Sequence, residues 1–339
     1  MNKISIALCT YNGASFLSDQ LESFLEQTVL PDELVICDDG STDETAEIID
    51  VFSKSATFPV RFYVNEKNLG STANFEKAVK LCGGDIIFLS DQDDVWNAEK
   101  IELMRGEFAK SESVGLVFSN GDLVDENLKP LERKLWDFAF PSEERKYAAN
   151  NDLFEVILRK NVVTGAATAF RRKYLEAFLP IPTDVPNMIH DAWIALAISA
   201  VADVIFIDKP LIKYRQHSQQ QMGIDWKYLR ESRKINRFNH YANSIKYELA
   251  ELEKFPVLFE VLKSRPTFEK KLAELDTESL IEQFSSECRE KILHYKARQN
   301  LSSSKLKRII PVFRELLSGR YHHFSKGFKS GAKDILENW

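Results

Sequence analysis

Asp85-Ile86-Ile87-Phe88-Leu89-Ser90-Asp91-Gln92-Asp93-Asp94-Val95-Trp96 runs from an apolar stretch straight into three further carboxylates. Residues 85–89 read as a buried strand, because strands of parallel sheets are covered on both faces and are apolar at nearly every position. The acids then stand at the strand's carboxyl end. Open α/β sheets bind ligands beyond that end, so the acids lie where a ligand is met. Carboxylates this close repel one another unless a cation sits among them, and hard divalent ions favour oxygen ligands. Mg²⁺ in particular takes one or two carboxylates and completes its shell with substrate phosphates. The stretch points to a metal holding a diphosphate; its competing reading is an acidic, solvated turn between strand and helix.

Working outward, residues 4–9 form a strand followed by the polar turn Thr10-Tyr11-Asn12-Gly13. Phe16, Leu17, Leu21, Phe24 and Leu25 then keep helical spacing. Residues 34–37 make a second buried strand that ends in Asp38-Asp39-Gly40-Ser41-Thr42-Asp43, where Ser41 or Thr42 is a candidate cap for a helix through Ala46, Ile48, Ile49 and Phe52. Residues 60–64 are a third strand, and a helix over 74–81 leads to the strand at Asp85. Strands alternating with helices mean βαβ units and a mostly parallel, doubly wound sheet. Further on, 114–119, 162–170 and 204–207 read as strands and 191–200 as a buried helix.

The bulk numbers are those of a soluble globular protein: 339 residues, 44% hydrophobic, 28% charged. A net charge of −6 excludes nucleic acid as a main partner, since neutralising its backbone takes a basic face. Cys9, Cys37, Cys82 and Cys288 lack metal or redox spacing, and the first three read as reduced core residues. Met1-Asn2-Lys3 leads directly into the first strand and no apolar run approaches the roughly 18 residues a membrane span needs, so a cytoplasmic protein is expected.

Beyond about Tyr228 the pattern turns to charged helices, with apolar stripes at Ile245, Leu249, Leu252 and Phe255 and at Leu272, Leu275, Leu280 and Phe284. This divides the chain into a catalytic domain over 1–225 and a helical C-terminal region over 226–339. Segment 305–333 holds eight Lys or Arg against the single acid Glu315, interleaved with apolar residues, and Pro311 allows a helix start or a kink. Such a segment either contacts an anionic membrane, placing the protein peripherally on its inner face, or packs its apolar side on the domain.

Asp38-Asp39 and Asp91 to Asp94 sit at two strand ends, and Thr10-Tyr11-Asn12 at a third. At one crevice, a carboxylate can accept a base N–H, Tyr11 can stack on that base, and the fourth strand end can hold a metal and diphosphate. A dinucleotide site would need G-x-G-x-x-G after the first strand, where Cys9-Thr10-Tyr11-Asn12-Gly13 stands instead. A phosphate-binding G-x-x-x-x-G-K-[ST] loop is absent too, which disfavours an ATPase or kinase.

Thr10-Tyr11-Asn12, Asp38-Asp39-Gly40-Ser41-Thr42-Asp43, Asn68-Leu69-Gly70 and Asp91-Gln92-Asp93-Asp94, with Gly165, His190-Asp191 and Tyr214-Arg215-Gln216-His217, resemble the family 2 glycosyltransferases. The resemblance covers about residues 3–220, and within the family it is similar to rhamnosyltransferase-like members that build bacterial surface polysaccharides. It implies the GT-A fold, a Rossmann-like sheet flanked by helices, here with a helical C-terminal extension. It also implies a divalent metal, Mg²⁺ or Mn²⁺, and an inverting transfer from a nucleotide-diphospho-sugar, dTDP-rhamnose or a UDP-hexose, to a hydroxyl of a lipid-linked saccharide.

Carried over by the same resemblance, Thr10, Tyr11, Asn12, Asp39 and Asp91 bind the nucleotide, with Asp39 accepting the pyrimidine N3–H. Asp93 and His217 serve the metal, and Asp38, Asp94 and Arg215 are candidates near the donor diphosphate, with holding the loop the alternative for Asp38 and the sugar or the metal shell both open to Asp94. Asp191 falls where the family places its catalytic base. The family has Glu or another polar residue before that acid; His190 here leaves its own role open. An N-cap of the following helix is the structural alternative for Asp191. Gln219, Gln220, Gln221 and Gly223 read as a loop that closes over the donor. The competing functions are a nucleotidyltransferase, disfavoured because the first turn has only Gly13 and no nearby Lys or Arg, and a non-catalytic sugar-nucleotide-binding module.

Overall fold

β1 (Ile4–Thr10) is buried along its whole length, as a strand flanked by parallel neighbours and covered on both faces must be. It pairs with β2 (Glu33–Asp38) on one side and, further along the chain, with β4 (Ile86–Ser90) on the other; β3 (Val60–Val64) lies outside β2. The connections are α1 (Leu17–Leu25), α2 (Thr45–Ser55) and α3 (Ser71–Leu81). Alternate residues Ile4, Ile6 and Leu8 of β1 join Leu34, Ile36, Ile86 and Phe88 in one core with Leu17, Leu21 and Phe24 of α1 and Ile49 and Phe52 of α2. The intervening residues point to the opposite face, and α3 packs on β1 and β2.

The chain thus moves outward from β1 to β3 and returns to β4 on the far side of β1. That reversal opens a crevice beyond the carboxyl ends of β1 and β4. Register aligns the tips: Thr10 pairs with Asp38, and Leu8 with Ser90.

The computed structural model describes residues 2–150, 153–186, 188–218, 220, 257–258, 260–274, 277–325 and 327–336. Two compact units form, Met1–Pro182 with Ile189–Gly223, and Thr183–Met188 with Ile224–Trp339. In the first, β5 (Val95–Trp96), α4 (Lys100–Lys110), β6 (Val114–Val124), β7 (Pro130–Lys134), α5 (Ser142–Asn150), α6 (Leu153–Arg159), β8 (Thr168–Arg171), α7 (Leu175–Phe178), α8 (His190–Ser199) and β9 (Asp203–Arg215) follow. They complete a nine-stranded sheet of order β3-β2-β1-β4-β8-β6-β9-β5, with β7 paired to β6. The β3-to-β4 half is parallel; β8 runs antiparallel to both β4 and β6, so the second half is mixed.

Three expectations change. Only Thr168–Arg171 of 162–170 is a strand, because Gly165–Ala167 curls into a 3₁₀ turn that aims the Gly165 N–H at Asp191. The strand expected over 204–207 extends through Arg215: its pairing with β6 shifts at Ser119 and Asn120, stepping past Asp208 and Lys209, so the apolar pattern breaks while the ladder continues. Ser41 and Thr42 do not cap α2, which begins at Thr45; the Asp43 carboxylate takes the Thr45 N–H and hydroxyl, and Ser41 is drawn to Asp38.

In the second unit the described elements are helical, among them α9 (Pro266–Glu274), α10 (Thr277–Gln299), α11 (Lys305–Leu317), α12 (Arg320–Phe324) and α13 (Phe328–Leu336). α11 runs across Pro311. The expected stripe at 245–255 lies outside the described residues, as do the side chains of Leu272, Leu275, Leu280 and Phe284. All four cysteines are buried and none is in a disulfide. Among the described residues no helix is long and apolar enough to cross a membrane.

Candidate active site

The crevice holds a pocket of about 430 Å³ lined from four directions: the turn after β1, the loops after β2 and β4, the start of α3, and the start of α8 with the Gly165 turn. Each wall is fixed by hydrogen bonds that its sequence makes available.

Asp38 and Asp39 have different tasks. Asp38 faces the loop, accepting from the Thr10 hydroxyl (2.7 Å), the Ser41 hydroxyl (2.5 Å) and the Ser41 and Gly40 amides (2.8 and 3.1 Å). It does not line the pocket. Asp39 does, and its Oδ1 takes the Asn65 amide (2.7 Å) and the Leu69 N–H (2.7 Å), while Oδ2 takes the Gly70 N–H (2.8 Å). A carboxylate offers about four acceptor positions, so one on Oδ2 stays open for a ligand. Gly70 has φ +80°, a conformation side chains resist, and this is what turns its N–H onto Asp39.

Tyr11 stands half exposed at the rim, its backbone clasped by Gln92: Oε1 accepts the Tyr11 N–H (2.8 Å) and Nε2 donates to the Tyr11 carbonyl (3.1 Å). Asn12 accepts from Thr42 N–H (2.9 Å) and donates its own N–H to Ser41 (2.8 Å). Asn12 therefore ties the first turn to the Asp38 loop and is not part of the lining.

Beyond β4, Asp91 and Asp93 line the pocket and Asp94 does not. Burial pushes the Asp91 carboxyl up to about 8, helped by the Asp93 and Asp191 charges and opposed by Lys100. Asp94 is fully buried, with Oδ1 accepting the Arg215 N–H (3.0 Å) and Oδ2 left without a partner; burial and then its two neighbouring carboxylates raise its pKa strongly. Lys100, buried beneath, donates to the Ala166 carbonyl (2.5 Å) over the Trp96 ring.

His217 Nε2 lies 2.9 Å from Asp93 Oδ2. Arg215 stands apart from the pocket: Nε and Nη1 donate to the Asp93 and Glu126 carbonyls (2.7 and 2.6 Å), and Nη2 to Asp19 (2.7 Å). Its guanidinium joins β9 to α1 and to the acidic loop. Gln220 reaches the lining, accepting the His217 N–H at 3.3 Å.

Asp191 sits in the first turn of α8, whose N-cap is Ile189, so capping does not explain the acid. Oδ2 accepts the Gly165 N–H (2.9 Å), and Oδ1 the Ala192 N–H (2.6 Å) and the Asn161 amide (3.3 Å). Burial outweighs these bonds and lifts its pKa to about 6. A Cβ on Gly165 would come within 3.1 Å of His190 Nε2 and 3.3 Å of Asp191 Cβ, so any larger residue there would press on both side chains.

Sequence reasoning left His190 without a role and did not anticipate Asn74, Phe75, Thr164 or Ile189 in the lining. His190 stacks on Phe75 at 4.0 Å, and neither ring nitrogen has a partner. Burial lowers its pKa to about 3, so the ring is neutral and brings one donor and one acceptor to the pocket. Its position beside Asp191 was the only available signal. Cys9 also lines the pocket, but burial holds its thiol protonated and poorly nucleophilic.

Among the described residues no three His, Cys, Asp or Glu groups form a ready metal cluster. What is present is Asp91 and Asp93 side by side, His217 on Asp93, and the unpartnered Asp94 oxygen behind them. That donor set fits an ion that draws most of its shell from a phosphate ligand and water.

Residues 5–179, more than half of the chain, match the model of glycosyl transferase family 2. The chain belongs to that family. Among relatives of this glycosyltransferase, the dTDP-rhamnosyl transferase RfbG of Shigella flexneri is 29% identical over 229 residues, covering 64% of this chain and 73% of that protein. The UDP-Glc:alpha-D-GlcNAc-diphosphoundecaprenol beta-1,3-glucosyltransferase WfgD of Escherichia coli is 30% identical over 124 residues, 37% of this chain and 47% of that one. The chain spans between 18% and 65% of the length of the first four curated relatives it matches. Among solved structures, the mannosyltransferase PcManGT from Pyrobaculum calidifontis in complex with GDP-Man and Mn²⁺ superposes with a TM-score of 0.52 at 16% identity, covering 99% of this chain and 87% of that one. The fold is GT-A.

Proposed function

We propose that this family 2 glycosyltransferase moves a sugar from a nucleotide-diphospho-sugar to a hydroxyl of a lipid-linked saccharide, with inversion at the anomeric carbon, in bacterial surface-polysaccharide synthesis. The observation that carries the reading is the convergence of Asp39, Asp91, Asp93 and Asp191 on one pocket at the switch point of the sheet. The first unit is the catalytic one in this reading. The relatives named for UDP-Glc, dTDP-rhamnosyl and diphosphoundecaprenol substrates support the donor and acceptor classes.

In this reading the open acceptor on Asp39 Oδ2 receives the pyrimidine N3–H, Tyr11 stacks on the base, and Thr10 holds the turn beneath it. Asp91 lies at the ribose. Asp93 and His217 would hold Mg²⁺ or Mn²⁺, an ion that, when bound, supplies positive charge to the departing diphosphate. Asp191 accepts the proton of the acceptor hydroxyl. That oxygen bonds to the anomeric carbon from the face opposite the leaving group, and the bond to the diphosphate oxygen breaks with its electron pair on the nucleoside diphosphate. His190, neutral and unpartnered, hydrogen-bonds a sugar hydroxyl beside Asp191.

The test is thermal stabilisation by UDP-, dTDP-, GDP- and CMP-sugars, with and without Mn²⁺ or Mg²⁺, followed by transfer to a solubilised lipid-linked saccharide. A ligand that binds only the folded state raises its apparent stability. One pyrimidine diphospho-sugar should stabilise, only with metal, and dTDP-rhamnose or a UDP-hexose should be that donor. No shift with any donor would sink the reading, and binding without transfer or hydrolysis would leave a non-catalytic module.

A further inference from the structure

α11 faces the opposite way from an ordinary packed amphipathic helix. Its buried residues are Arg308, Val312 and Glu315, whereas Leu306, Ile309, Ile310, Phe313 and Leu317 are exposed, Leu306 and Leu317 at 79% and 86%. The exposed five recur at three- and four-residue spacing and so form one stripe. At 3.6 residues per turn, Lys307 and Arg314 run along one border of it, both exposed.

The polar side is committed inward by specific bonds. Arg308 donates to the Ser302 and Ser303 carbonyls and to the Asp334 carbonyl (3.2 Å). Glu315 accepts from Arg320 at 2.7 and 2.9 Å and lies 3.1 Å from His294 Nδ1. Rotating the helix to bury its leucines would carry Arg308 and Glu315 outward and strip the buried His294 ring and the Asp334 carbonyl of these partners. The apolar stripe is therefore fixed outward, and a stripe of this size marks a contact surface.

Charge decides what covers it. α11 carries Lys305, Lys307 and Arg314 exposed, and its one acid, Glu315, is buried and paired. A two-fold contact between copies would set like basic borders against each other, whereas an anionic bilayer offers phosphates to the border and acyl chains to the stripe. We propose that this face of α11 docks on an anionic lipid surface, with Leu306, Ile310, Phe313 and Leu317 at the acyl boundary and Lys307 and Arg314 at the headgroups. The proposal rests on the lipid-linked acceptor only for why such a surface is visited.

Flotation of the full chain with phosphatidylcholine vesicles, with and without phosphatidylglycerol, tests it. The wild type should float with the anionic vesicles. Ile310→Ser with Phe313→Ser should lower partitioning about tenfold or more. Lys307→Glu with Arg314→Glu should lower it by about fivefold or more per site on anionic vesicles only. These side chains are exposed, so melting temperature and donor-induced stabilisation should match the wild type in both variants. A wild type that stays off vesicles, or variants that bind as it does, overturns the proposal. So does a wild-type dimer that the Ile310/Phe313 variant dissolves while neither protein floats, since a second copy would then be the cover. A wild type that binds donor but stays off vesicles counts against this docking alone; a wild type that floats but binds no donor counts against the transferase reading alone.

Discussion

Asp191 shows how much a buried position changes one carboxyl. With its pKa at about 6, the group is protonated and unable to accept a proton below that pH, and ionised above it. Transfer measured as kcat/KM should therefore fall about tenfold per pH unit below 6 and level off above it. Asp191→Asn should retain donor binding and lose about 10²–10⁴-fold in kcat with no remaining rise at that pH; near-wild-type turnover would remove the residue from the chemistry. His190→Phe keeps a ring against Phe75 and removes both nitrogens. It should weaken one substrate by about 1–3 kcal/mol, seen as a higher KM for donor or acceptor and little change in melting temperature. The motifs made Asp39, Asp91, Asp93 and Asp191 visible as candidates, and all four line the pocket. Arg215 looked equivalent in sequence, yet its donors are spent on two carbonyls and Asp19. Nothing in residue order distinguishes an arginine that meets ligand from one that joins strands.

Among elements, what the strand tips require is held by loops. The loop Asn68-Leu69-Gly70 presents two N–H groups to Asp39 only because Gly70 occupies a φ of +80°. Gly70→Ala meets no atom within 4 Å but is strained there. It should cost about 1–3 kcal/mol in chemical denaturation and weaken nucleotide-sugar affinity, and a variant as stable as wild type would show the loop does not need that conformation. The apolar strands 4–9, 34–37 and 85–89 were legible because central parallel strands are apolar throughout. The Gly165 turn was not. Its reason for curling is a bond to Asp191, 26 residues away, and a contact at that separation leaves no periodic trace. β9 was read short for a related cause: Asp208 and Lys209 interrupt the pattern where the pairing register shifts, although the strand goes on.

On the scale of the whole molecule, both units bury apolar side chains together with charged ones. The first buries aliphatic and aromatic side chains between helices and sheet. The second ties α10 to α13 with charge: Asp334 is fully buried, accepting from Arg298 at 2.7 and 3.2 Å and from the Tyr321 hydroxyl. Asp334→Asn would leave the Arg298 charge poorly compensated and should cost about 3–5 kcal/mol, read as faster hydrogen exchange in α10 and α13; wild-type protection would show the pair contributes little. The stripe on α11 was evident from spacing, but spacing cannot say which side is covered, and here buried Arg308 and Glu315 reverse the usual choice. The outward stripe also bears on how turnover would scale. A protein held on a bilayer searches for a lipid-borne acceptor in two dimensions, so its rate would follow the surface density of acceptor in the vesicle rather than its bulk concentration. Diluting the acceptor with inert lipid at constant total amount should then slow the wild type, while a form unable to dock would be slow at every density.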